Sequence, residues 1–114
     1  MPASKIKVRA FRNQESVKDT VNIDSAKTYE IDFSPWAEEF NNVTTVTWTV
    51  KNGQAAVSGE TLSSNVATAL ITFNTEGRNL IQIKGDSGTE ISVVYLDILV
   101  KDPETFDEYF TDYI

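Results

Sequence analysis

The sequence predicts an all-β chain: a single antiparallel β-sandwich with a short amphipathic helix at its C-terminus. Three observations carry this reading. Apolar and polar residues alternate with a period of two through most of the chain. Turn residues interrupt that alternation at a spacing of about ten residues, as in sandwiches and barrels. Before residue 102 only one segment has helical character, and it amounts to a single turn.

The elements follow in order. Residues 4–11 (SKIKVRAF) alternate, with Ile6, Val8 and Ala10 on one face and Lys5, Lys7, Arg9 and Phe11 on the other, which predicts a strand. Residues 17–23 form a weaker extended piece. Tyr29, Ile31 and Phe33 alternate with Glu30 and Asp32 in a second strand. Ser34 as N-cap, Pro35 in the first helical position and Glu38 and Glu39 in the first turn then predict one helical turn. Residues 43–51 are the strongest strand: Val46, Trp48 and Val50 share a face, and threonines line the other. Asn52-Gly53 predicts a type I′ hairpin, with residues 54–58 pairing back. Residues 60–65 suit a short edge strand. Residues 66–73 read as a buried strand, followed by a turn through Gly77 and a strand over residues 79–85. Asp86-Ser87-Gly88 predicts a second hairpin. In residues 89–101, Ile91, Val93 and Tyr95 alternate first, and then Leu96, Ile98 and Val100 do. That change of phase predicts a bulge or a passage between sheets.

Composition bounds the function. The chain has 114 residues, the size of one domain, and is 40% hydrophobic, enough for a core. A net charge of −7 argues against nucleic-acid or membrane-surface binding, which needs a basic field. There is no cysteine and no histidine. Disulfides and thiolate metal sites are therefore excluded, and so are the commonest general base and the commonest metal ligand. The chain is expected to be no enzyme and to need no cofactor or metal. GDSG at 85–88 has the look of a serine-nucleophile segment, but without histidine it reads as a hairpin turn. No apolar segment follows the start, so no signal peptide is expected.

The two ends differ. The first twelve residues carry Lys5, Lys7, Arg9 and Arg12 and no acid; the last thirteen carry Asp102, Glu104, Asp107, Glu108 and Asp112 and no base. The expected division is a sandwich with a basic N-terminal arm over residues 1–101 and an acidic, aromatic helix or tail over residues 102–114. Asp102 suits an N-cap and Pro103 the first turn. Phe106, Tyr109, Phe110 and Tyr113 then fall at i, i+3, i+4 and i+7, one apolar stripe. A helix this short needs that stripe covered. The cover is either its own sandwich or a neighbouring subunit.

From Thr45 to Pro103 the chain resembles bacterial and phage immunoglobulin-like modules of the Big and PKD type. The features that carry the likeness are TWTVKNGQA with Trp48 and its Asn-Gly turn, VATALITFNTEGRNLIQI, and ISVVYLDILVKDP. The resemblance implies an immunoglobulin-like sandwich. A free-standing module of this type also resembles small virion proteins of tailed phages, which decorate capsids or sit at the neck and tail.

The functional expectation is a structural virion protein, first a capsid decoration or cement protein, with a neck or tail accessory position as the alternative. Its partners would be the major capsid protein or another virion protein and copies of itself. The expected contacts are Phe106, Tyr109, Phe110 and Tyr113 as anchors and Lys5, Lys7, Arg9 and Arg12 as electrostatic contacts. Trp36 is a further contact candidate, open between core and surface. A carbohydrate or host-surface adhesin using Trp36 and exposed tyrosines is the competing expectation.

Overall fold

The structure, a computed structural model, describes residues 4–7, 14–38 and 41–102, and only the backbone of 4–7, 14 and 15. In chain order the described elements are β1 (Ser4–Lys7), β2 (Gln14–Asn22), β3 (Ser25–Asp32), α1 (Ser34–Ala37), β4 (Thr45–Asn52), β5 (Ala56–Ser63), β6 (Val66–Phe73), β7 (Gly77–Asp86) and β8 (Ile91–Lys101). They form two four-stranded sheets, β1-β3-β6-β5 and β2-β8-β7-β4.

Counting β2 as the first strand makes the order second-fifth-fourth in one sheet, with β1 added at its edge, and first-seventh-sixth-third in the other. That is the immunoglobulin arrangement. β1 runs parallel to β3 and β2 parallel to β8, while every other pair is antiparallel.

The core lies between the sheets. Tyr29 and Ile31 of β3, Ile71 and Phe73 of β6, Ile81 and Ile83 of β7, and Val94, Leu96, Ile98 and Val100 of β8 are all buried. Each large apolar side chain so buried contributes about 1.5–3 kcal/mol. Phe33, Trp36 and Val43 close one end. Asn65 ties that end together: its carbonyl accepts from the Phe33 amide (2.8 Å) and its Oδ1 from the Val43 amide (2.8 Å).

Several expectations change. α1 has Phe33, not Ser34, as N-cap, with no side-chain cap bond, and Glu38 is its C-cap. The Ser34 amide is instead satisfied by Asp32 Oδ1 at 3.0 Å, so the strand's last acid does the work of a cap.

Asn52-Gly53 is not a hairpin turn. β4 pairs with β7 and β5 with β6, so the chain crosses between sheets here. The hairpin lies at Ser64-Asn65, whose φ values of 49° and 67° meet the type I′ requirement at both central positions. Gly53 answers a different need. A Cβ there would stand 2.1 Å from Asn79 Oδ1. The buried Asn79 side chain lies at that position and accepts from the Gln54 and Ala55 amides (3.0 and 3.1 Å).

β8 carries no bulge and stays in one sheet. Its register with β2 and β7 is unbroken, and Ser92, Val94, Leu96, Ile98 and Val100 all face inward. The apparent change of phase arose because its outer face also carries apolar residues: Ile91, Val93, Tyr95 and Leu99. The Asp86-Ser87-Gly88 turn does join β7 to β8 as a hairpin. The C-terminal helix expected over residues 102–114 falls outside the described residues beyond Asp102.

Candidate interaction surface

The outer face of the β2-β8-β7-β4 sheet gathers two kinds of residue that seldom share an idle surface. The first is apolar. Ile91 and Leu99 are 48% and 43% exposed, and Val93, Tyr95 and Leu80 lie half-buried between them. Alternation along β8 and β7 sets all five outward, because their inward neighbours fill the core. The second kind is basic. Lys18 of β2, Arg78 and Lys84 of β7 and Lys101 of β8 stand exposed on the same face. The chain has ten lysines and arginines, four of them in the first twelve residues. Of the other six, four therefore share this face; Lys51 lies at the irregularity in β4, and Lys27 lies elsewhere.

Ion pairs and hydrogen bonds order the face. Register sets Lys18, Asp97 and Leu80 in one row across β2, β8 and β7. Arg78 grips Asp97 in a fork, Nε to Oδ1 at 2.7 Å and Nη2 to Oδ2 at 2.6 Å. This bond, with the charges of Arg78 and Lys18, holds the Asp97 carboxyl below the usual carboxylate range; the same bond raises Arg78. Gln82 Nε2 donates to Tyr95 Oη at 3.1 Å in the next row. An open depression of about 330 Å³ is lined by Lys18, Asp19, Thr20, Arg78, Asp97 and Leu99.

A polar staple lies beside this depression, at the seam between the sheets. Asp19 Oδ2 of β2 accepts from Lys27 Nζ and from Tyr29 Oη of β3, both at 2.7 Å. Burial pushes the Asp19 carboxyl up. The bonds from Lys27, Tyr29 and the Thr20 amide, with the Lys27 charge, outweigh burial and leave it lowered. Burial, then the bond to Asp19 and its charge, push the Tyr29 hydroxyl strongly up. Tyr29 is therefore a fixed neutral donor, and the staple is structural.

The residues singled out in the sequence fall as follows. Lys5 and Lys7 lie on β1, opposite Glu30 and Asp32 of β3 in register. Arg9, Arg12, Phe106, Tyr109, Phe110 and Tyr113 lie outside the described residues. Trp36 is 1% exposed, packed in the core at the end of the sandwich. It therefore offers no contact face, because the helical turn of α1 points its ring inward. Lys18, Arg78, Lys84 and Leu99 were missed. Their signal was present in β8, where apolar residues occupy both phases of the alternation. Among the described residues no three His, Cys, Asp or Glu residues are grouped to hold a metal, and no helix is long and apolar enough to cross a membrane.

No family model matches the chain, and no curated protein matches it. Solved structures do. A chain from PbICP-C in complex with falcipain-2 is similar with a TM-score of 0.57 at 9% identity, over 87% of this chain and 100% of that one. The M1 domain from titin gives 0.54 at 16% identity, over 76% and 91%. A 2,6-sialyltransferase from Vibrionaceae Photobacterium sp. gives 0.51 at 11% identity, over 81% of this chain and 18% of the enzyme, so only a small part of it is matched. At these identities the likeness is one of fold: an immunoglobulin-like sandwich.

Proposed function

We propose that the chain is a non-catalytic structural protein that joins a larger particle, a phage virion, where it serves as a capsid decoration or cement protein. A neck or tail accessory position is the alternative within the same reading. The observation that carries the assembly role is the outer face of β2-β8-β7-β4, where exposed Ile91 and Leu99 sit among four bases in a chain of net charge −7. An apolar patch rimmed by charge is the usual mark of a contact surface. The virion setting rests on the resemblance of residues 45–103 to bacterial and phage immunoglobulin-like modules. The partners are the major capsid protein or another virion protein, together with copies of the chain itself. The adhesin reading loses Trp36 as a platform, because that ring is in the core.

The test is a deletion of residues 102–114. The shortened chain should keep the circular dichroism of a folded sandwich and fail to co-sediment with tailed-phage particles from its source. A deletion that still binds those particles with full affinity sinks the proposal.

A further inference from the structure

The outer face of β2-β8-β7-β4 matches a segment of the chain itself. Residues 103–114 carry Glu104, Asp107, Glu108 and Asp112 and no base, with Phe106, Tyr109, Phe110 and Tyr113 at helical spacing. The face offers the complement: apolar Leu80, Tyr95 and Leu99, bordered by exposed Lys18, Lys84 and Lys101, with Arg78 already engaged by Asp97. We infer that residues 103–114 of one copy dock on this face of a second copy, rings over the apolar residues and carboxylates against the lysines. The inference rests on the assembly reading above and supplies one of its contacts.

Chain connectivity decides between the segment's own face and a neighbour's. β8 ends at Lys101, and the helix expected from the sequence has Asp102 as its cap and Pro103 in its first turn. A residue before proline keeps to extended backbone. One extended residue cannot reverse the chain and lift a helix the roughly 10 Å that packing on a sheet requires. Connections that make such reversals usually take about 2–6 residues. A neighbouring copy's face carries no such restriction. Tail to face is a heterologous contact, so it propagates from copy to copy until it closes in a ring or extends as a row. Both halves of the contact are charged, so salt weakens it: the screening length falls from about 10 Å at 0.1 M to about 3 Å at 1 M.

The test uses the full-length chain in sedimentation velocity, with one variant broken at the face, Leu99→Asp, and one broken in the tail, Phe106→Ala with Phe110→Ala. Wild type should form concentration-dependent oligomers that dissociate at high salt. Each variant alone should weaken association by about tenfold or more. An equimolar mixture of the two should form a dimer and stop there, because one copy contributes the sound tail and the other the sound face. Lys18→Glu with Lys101→Glu is a second face variant, for use if Leu99→Asp loses its circular dichroism. A wild-type chain that is a monomer at every salt concentration overturns the inference. So does a pair of folded, dissociated variants that fail to complement each other. A monomer that still attaches to particles through residues 102–114 removes this contact and leaves the assembly reading standing; loss of both removes both.

Discussion

The outer faces of the two sheets are built from the same alternation and end with opposite characters. On β3, β6 and β5 the outward residues are mainly small or hydroxylated: Ala26, Thr28, Thr68, Thr72 and Ser58, with Glu30 among them. None of the described outward residues on these three strands is a base, and Leu70, 40% exposed, stands alone. On β8 and β7 the outward residues are apolar side chains and bases, with Asp86, Asp97 and Gln82 among them, and β2 and β4 flank them with Lys18 and neutral polar residues such as Ser16, Thr20, Asn22, Thr47 and Thr49. The inner faces are equivalent: on each, the inward residues of the central strands are buried and those of the edge strands β2, β4 and β5 are partly buried. Core packing therefore requires only that every second residue be apolar, and it leaves the other half of each strand free to specialise. A single exposed leucine needs no explanation, whereas a run along one strand, bordered by lysines, does.

Changes in the shared core should break both faces together, and they carry the largest effects. Trp36→Ala empties a fully buried site and should cost about 3–5 kcal/mol in denaturant unfolding. Gly85→Ala should cost about 1–3 kcal/mol, because its Cβ would stand 2.8 Å from the Phe33 ring.

A smaller change parts the faces at the crossover. Asn79→Ala leaves the Gln54 and Ala55 amides without their acceptor as the chain passes from β4 to β5. A loss of about 1–3 kcal/mol is expected, with hydrogen exchange rising first at Gln54 and Ala55.

The seam between the sheets should respond to acid. The Asp19 carboxyl lies below its ordinary value of 3.8, so its stabilisation is present above that pH and is lost as pH falls through the lowered value. Asp19→Asn should flatten the acid limb of the stability curve below about pH 4 and leave the neutral limb parallel to wild type. An unchanged acid limb would remove the staple from the account. Tyr29 acts at the other extreme. Its raised value means that the stabilisation is held below pH 10 and falls away as pH rises beyond it.

The smallest stability effect sharpens the comparison most. Leu99→Ser and Leu70→Ser remove similarly exposed leucines from the two outer faces and should differ in stability by no more than about 0.5 kcal/mol. Only Leu99→Ser should reduce self-association in sedimentation. Equal loss from both would mean that the faces are not distinct.

Much of this was legible in the residues. β4 and β6 were read almost to their ends, because strict alternation with β-branched residues has no good helical alternative. The β7–β8 hairpin was legible because Asp-Ser-Gly is short and lies between two strong strands. Asn52-Gly53 misled, since an Asn-Gly pair reports only that the backbone can turn, and the partner of each flanking strand is settled at long range. Ser64-Asn65 went unnoticed as a hairpin because serine seldom advertises positive φ. The basic face was invisible because Lys18, the Arg78 and Lys84 pair of β7, and Lys101 lie on three strands far apart in sequence, and only strand order brings them together.

Alternation, turn chemistry and composition by themselves determined an all-β sandwich without histidine or cysteine chemistry, and the charge split between its ends. These are local properties, decided by neighbours one or two residues away. Strand order, the crossover at Gly53, the burial of Trp36 and the gathering of bases on one face were decided only by tertiary structure. Each depends on which distant segments shed water against one another, and that choice is made by the whole core at once.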